Sequence, residues 1–450
     1  MKNQDMRAAG TLAAVFSVRL LGLFMIYPVF AAYARQLSGS TPYMTGLALG
    51  IYGLTQGILQ IPFGLLSDRI GRRIMIVLGL LLFAAGSLIA AVSTSIEGVV
   101  LGRALQGAGA VGSVILAYVA DLTSEENRTK AMALVGVTIG ASFMLALVAG
   151  PLIAGAVGVP GIFWCMVVLA FIGIAIVFFA VPAPPRLAIR RDAEAVPSLL
   201  GAVLSNGDLL RLDFGVFALH AMLTASFLVV PDLFHQTLGL TSHDQWVIYL
   251  PVLLFAALAT IPAIILAERH RRMKPVFVAA VTALAASQFL LAFSGTSAFL
   301  TVASVLVFFS GFTIMEATLP SLITKTAPPD AKGTATGVYS SSQFLGIFIG
   351  GLGGGLMRQY GGASGVFLMT GAVSLLWLLL AATMNRPSYL TTRLVPIDPQ
   401  GDLEALAARL RQLPGVAEAV VVAEEKLAYL KVDMRKFDPS STDMLGAAAR

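Results

Sequence analysis

Four ionisable side chains lie deep inside long apolar segments of this 450-residue chain: Arg19, Arg103, His220 and Glu316. An ionisable group in hydrocarbon costs at least about 2.5–3.5 kcal/mol by insertion scales, so it faces a cavity or a partner. Glu316 can carry a proton, and its protonation responds to burial and to neighbouring charge. His220 changes charge near neutrality without help. Arg19 stays cationic and can bind an anion or tune a carboxylate. Plainer roles stand beside these. His220 can be a satisfied core imidazole, Glu316 a hydrogen bond between packed helices, and Arg103 a clamp on neighbouring carbonyls. A second set of residues is crowded into one short polar stretch: Gly64, Asp68, Arg69, Gly71, Arg72 and Arg73. Gly64 lets two helices approach and Gly71 permits a sharp turn. Asp68 is an anion at a helix end, where it can meet an arginine or a facing helix N-terminus. A third set, Gly150, Pro151 and Gly155, offers close packing and a possible bend.

The elements that must position these groups are membrane helices. Of the chain, 57% is hydrophobic and 12% charged, whereas a soluble domain is roughly a quarter charged. Twelve apolar segments run over about 11–34, 43–66, 74–94, 97–120, 130–157, 160–182, 209–234, 245–267, 275–294, 298–324, 333–357 and 362–384. Each reaches the ~20 residues that cross a bilayer as a helix. No segment alternates in the manner of barrel strands. The apolar run at the N-terminus is too long for a cleaved signal core and reads as the first span. The net charge of +6 gathers in alternate short connections, at Arg69, Arg72 and Arg73, at Arg128 and Lys130, at Arg186, Arg190, Arg191 and Arg211, at Arg269, Arg271, Arg272 and Lys274, and at Lys325 and Lys332. The positive-inside bias then puts both termini in the cytoplasm of an inner (cell) membrane protein. The same charge therefore reads as topology and not as a nucleic-acid surface.

The chain also repeats at an offset of about 200. Val15 to Arg19 matches Val216 to His220. The stretch from Phe24 to Pro28 matches Phe227 to Pro231 after a two-residue slip, and Asp68-Arg69 falls opposite Glu268-Arg269. Two parallel six-helix halves with a site between them near the midplane are expected. The domain division is 1–182, a linker over 183–208, 209–385, and a tail over 391–450. In the tail, Thr391–Ile397, Val416–Val422 and Leu427–Val432 read as strands, with helices over 403–413 and 440–449. Asp232 and His235 read as surface groups at the end of the seventh span.

The polar stretch resembles the signature loop of the major facilitator superfamily, G-x3-D-R-x-G-R-R. The resemblance implies twelve helices in two six-helix bundles. It also implies a loop that latches the halves in one state together with Asp121, and a cavity lined by spans one, four, seven and ten. Each of those spans carries one of the four buried ionisable groups. Arg103, followed by Gln106, Gly107 and Gly109, resembles the family's buried-arginine element. Gly150, Pro151 and Gly155 resemble its antiporter-associated element, with Ala146 and Ala154 where glycines are expected. The second copy of the loop, Glu268 to Arg272, lacks both glycines and is expected to make a weaker contact. The β-α-β-β-α order of the tail is similar to the ferredoxin-like domain that closes the YajR-like branch.

The expected function is secondary transport by alternating access, proton-coupled efflux of small molecules resembling drug/proton antiport. A proton-coupled importer and a non-transporting sensor signalling through the tail are the alternatives. Expected partners are a small-molecule substrate, protons and the lipid bilayer, with self-association or a regulatory ligand at the tail. The lone Cys165 forms no intrachain disulfide, and no Cys/His cluster suggests a metal site. No G-x4-G-K-[ST] element suggests ATP. No enzyme activity and no cofactor are expected. Phe24, Met25, Tyr27, Phe143 and Met144 either line a substrate path or pack.

Overall fold

The computed structural model describes residues 2–123, 125–182, 196–328, 330–385, 390–397, 403–423, 426–433 and 435–438. Its helices are α1 (Lys2–Met25), α2 (Tyr27–Ala34), α3 (Pro42–Ile70), α4 (Arg72–Val92), α5 (Ile96–Ala108), α6 (Gly112–Leu122), α7 (Glu125–Phe179), α8 (Leu200–Leu204), α9 (Gly207–Phe227), α10 (Val230–Leu238), α11 (Trp246–Ile264), α12 (Met273–Ala292), α13 (Ala298–Thr326) and α14 (Lys332–Ala382). Among the described residues, ten continuous segments are long and apolar enough to cross a membrane. Two of them, within α7 and α14, are far too long for one crossing of about 20 residues. Each folds back at a glycine with positive φ, Gly158 at 74° and Gly362 at 63°. An L-residue rarely adopts that conformation, so glycine is what allows the two legs to join without a loop. Twelve crossings result, as the hydropathy segments predict, in a multi-pass membrane protein. Large apolar side chains such as Phe171, Phe255, Leu258, Phe299 and Leu379 remain exposed on the outer surface, as a lipid-facing belt requires.

Helix starts follow their capping residues. Thr41, Ser95 and Ser297 each accept a backbone N–H with the side-chain oxygen, and Asn206 accepts two. Helix breaks follow the repeat. The first span divides between Met25 and Tyr27, and the seventh divides at Leu228 and Val229. Pro28 and Pro231 stand in the first turn of the second piece in each case, where a missing N–H costs nothing.

The halves meet along α3 and α14. A Cβ placed on Gly46 would lie 2.1 Å from the Gly351 carbonyl oxygen, one on Gly53 2.3 Å from that of Phe344, and one on Gly57 3.3 Å from that of Ser341. Further along, a Cβ on Gly64 would touch only Ser113, in its own half. The seam is therefore tight where α3 begins and loosens toward its far end.

The tail folds about its own small core. Strands β1 (Thr391–Pro396), β2 (Val416–Val422) and β3 (Leu427–Val432) form an antiparallel sheet in the order β1-β3-β2, with α15 (Leu403–Arg411) against β2. Arg271, between α11 and α12, reaches Asp433 at 3.2 Å. Lys431 donates to the Thr326 carbonyl at the end of α13. The Arg435 backbone N–H and the Arg271 guanidinium hold the Asp433 carboxyl below the usual range, and burial pushes the Lys431 ammonium down. The expected helix over 440–449 and the basic cluster at Arg186, Arg190 and Arg191 lie outside the described residues, as does the Arg128 side chain. Part of the expected linker is helical, as a short turn at Pro197–Leu199 followed by α8.

Candidate functional site

In the first half, Arg19 on α1 and Arg103 on α5 are fully buried and flank one ring. Their Cζ atoms lie 5.8 and 4.9 Å from the centre of Tyr52 on α3. Arg19 donates to Gln56 Oε1 at 2.5 Å. Arg103 donates to Gln106 Oε1 at 2.9 Å and to the Ala48 carbonyl at 3.3 Å. Gln106 in turn donates to Ser87. The spacing of Arg103 and Gln106 thus puts the amide one helical turn along to hold the guanidinium.

In the second half, His220 on α9 lies against Glu316 on α13. His220 Nδ1 donates to the Val216 carbonyl at 3.1 Å, and Gln343 Nε2 on α14 donates to His220 Nε2 at 2.8 Å. This pattern assigns a neutral imidazole with its proton on Nδ1. Glu316 Oε1 is 3.5 Å from that same Nε2, is enclosed, and accepts no hydrogen bond. Nε2 and Oε1 are thus two atoms that can share one proton.

Asp213, two turns before His220 on α9, is a further buried acid that the sequence reading passed over. It is 5% exposed, and neither of its carboxylate oxygens has a partner. Tyr339 on α14 lies within electrostatic reach of both Glu316 and Asp213. The signal was available, since Asp213 and His220 are seven apart and share a helix face. Asp213 lies near the start of the expected span over 209–234, beside Arg211.

A series of rings runs from the first half to His220. Phe24 meets Phe143 edge-on at 4.9 Å, Phe143 stacks on Phe312 at 5.5 Å, and Phe312 meets the His220 ring at 5.9 Å. Tyr27 is 3.3 Å from Thr224 of the other half, hydroxyl to hydroxyl. Met25 lends its carbonyl to the close approach of Gly150, where an added Cβ would lie 2.1 Å away. A Cβ on Gly155 would lie 2.9 Å from the His243 side chain of the second half, and Pro151 lies between these two positions.

At one end of the molecule Arg72 joins Asp68 and Asp121, the latter at 3.0 Å, and Arg73 donates to the Val181 carbonyl at 2.5 Å. Gly71 has a φ of 106°, which the turn into α4 needs. Arg69 is exposed. These contacts tie the second, third, fourth and sixth spans of one half to each other. The second half repeats the device with the charge reversed. Glu268 takes Lys325 with both oxygens, at 2.6 Å each, and Ser321 at 2.9 Å. The partner is a lysine at the end of the tenth span, and this pair is more exposed than the buried Arg72 between its two acids, in line with a weaker contact.

At the opposite end Asp232 on α10 pairs with Arg35, after α2, at 2.8 Å and with Arg358 on α14. Arg358 also donates to the Leu228 carbonyl at 2.5 Å. Asp232 lies at the surface as expected, and its pair with Arg35 bridges the two halves where the α3–α14 seam is tightest, while its pair with Arg358 lies within the second half.

The helical architecture agrees with what the comparisons find. The sequence matches the Major Facilitator Superfamily over residues 12–351 and again over 212–396. The chain belongs to this superfamily. Its tail matches the YajR YAM domain over residues 396–437. It is 43% identical over 432 residues to the inner membrane transport protein YajR of Escherichia coli K12, covering 96% of this chain and 95% of that one. It is 27% identical to the multidrug resistance protein MdtH of Aeromonas hydrophila, over 80% of this chain and 91% of that one. Among solved structures, a bacterial homologue of the human lysosomal transporter Spinster, inward-facing and unoccupied, superposes with a TM-score of 0.66. The identity is 13%, with 85% of this chain and 98% of that one covered. This likeness shows the fold. The superfamily member described here is a membrane transporter and not an enzyme.

Proposed function

We propose that this transporter exports small molecules in exchange for protons, with both termini in the cytoplasm, and that Glu316 and His220 carry the exchanged proton. The observation that carries this reading is the 3.5 Å approach of Glu316 Oε1 to His220 Nε2, two acceptors with room for one proton. A proton loaded there turns Nε2 into a donor toward Glu316 and takes away the acceptor that the Gln343 amide now uses. Gln343 precedes Phe344, whose carbonyl lies in the seam against Gly53 of α3. Protonation thus acts on the helix that packs the halves together. Asp213 is a second acid on the same helix face as His220, toward the Asp68 end. The two ends suit alternating access. The Asp232–Arg35 pair bridges the halves at one end, while the Asp68 and Glu268 pairs tie each half to itself at the other.

The driving force is about 1.4 kcal/mol per unit of pH gradient plus about 2.3 kcal/mol per charge per 100 mV. Similarity to a protein named for multidrug resistance supports export over import. Everted membrane vesicles with ethidium and fluorescein as probes test the reading. Wild type accumulates dye only while an acid-inside gradient is imposed, and Glu316→Gln abolishes the gradient-driven part. Gradient-driven uptake that survives unchanged in Glu316→Gln refutes the assignment.

A further inference from the structure

Arg19 and Arg103 carry two positive charges in a fully enclosed place, and every partner they have is neutral. Those partners are the amides of Gln56 and Gln106, the Ala48 carbonyl and the face of Tyr52. Among the described residues no carboxylate pairs with either. A guanidinium does not escape burial by losing its proton, and taking each ion out of water costs several kcal/mol unless an opposite charge answers it. Donors are left over: Arg19 Nε and Nη1, Arg103 Nη2 and the Tyr52 hydroxyl are all enclosed and unbonded. Neutral dipoles and one aromatic face hold the guanidiniums in position but leave the charge uncompensated. The acids of the site, Asp213 and Glu316, stand on the other half.

We infer that this cluster receives the anionic group of the transported molecule, which makes the substrate class an organic acid with an apolar, ring-sized body. The inference rests on the reading of the chain as a small-molecule transporter and names what it carries. The body is matched to the rings Phe24, Phe143 and Phe312, which run from the half that holds the arginines to His220. A head with several acceptor oxygens, a carboxylate or sulfonate, matches donors spread over two guanidiniums and a hydroxyl. Each substrate then neutralises the first half while the proton is held by the second, so the two ligands bias different bundles.

Benzoate and its neutral isostere benzamide separate this from simple hydrophobic binding. The full-length chain, purified in detergent, is melted while its intrinsic tryptophan fluorescence is followed, with ionic strength held constant by sodium chloride. Benzoate raises the melting midpoint in a saturable manner and benzamide does not. In Arg19→Gln the apparent affinity for benzoate falls by about tenfold or more, the loss of one charge-assisted contact, and Arg19→Lys restores part of it. Equal shifts from acid and amide, a shift reproduced by chloride alone, or an undiminished benzoate response in Arg19→Gln each overturn the inference. If Arg19→Gln does not fold, the wild-type comparison of benzoate with benzamide decides alone. No gradient is present, so failure here leaves the proton-exchange reading to the vesicle measurement.

Discussion

Asp232 is one carboxylate serving two guanidiniums, Arg35 and Arg358, that come from different halves. Removing it leaves two like charges facing each other beside the Leu228 carbonyl, which favours separation. Asp232→Asn is expected to raise the open population at this end by about tenfold, the effect of ~1.4 kcal/mol. A cysteine at Thr224, fully buried against Tyr27, reports it in a Cys165→Ser background. Its reaction with a membrane-impermeant maleimide should speed up correspondingly, and an unchanged rate refutes the gate. The sequence disclosed the ionisable groups of the site through their cost in lipid, which is why Arg19, Arg103, His220 and Glu316 were all visible. It did not disclose Asp232 as a gate, since its partners lie 197 and 126 residues away and its contact with Arg35 arises only from the docking of the halves. Asp213 was overlooked for a more local reason: it stands near the start of the span over 209–234, beside Arg211.

At the scale of elements, hydropathy and turn chemistry were enough for the spans and most of the tail. Val416–Val422 and Leu427–Val432 fall where alternation and β-branching put them. Breaks inside the first and seventh spans follow the proline positions that the repeat aligned. Less legible was which helix of one half would meet which of the other, because glycine density alone does not choose a partner. The α3–α14 seam is now specific enough to test. Gly46→Ala places a methyl 2.1 Å from the Gly351 carbonyl, a backbone atom that cannot give way as a side chain does. Overpacking of this kind costs about 1–3 kcal/mol, so the melting midpoint in detergent should drop. Gly136→Ala, on an exposed stretch of α7 with nothing within 4 Å, should hold or raise it, since alanine favours a helix over glycine by about 1 kcal/mol. Equal effects of the two substitutions contradict the seam.

For the whole molecule, two rigid bundles share one polar interior, with cations on one side and acids on the other. The superfamily resemblance made the two bundles expected, and the repeat offset of about 200 reappears in the helix breaks and in the acids Asp68 and Glu268, which take different partners in the two halves. Proton loading in the second bundle, transmitted through Gln343 to the α3–α14 seam, is the central claim. Spin labels test it without any substrate. One pair at Gln36 and Gln236 spans the Asp232 end, and a second at Ile70 and His270 spans the other, all four being exposed. Double electron–electron resonance distances are recorded at about pH 5.5 and about pH 8, either side of the ordinary histidine value. The account predicts that the two pairs move in opposite senses with pH in the wild type and that Glu316→Gln freezes both; distances that ignore pH in the wild type, or respond equally in Glu316→Gln, contradict it.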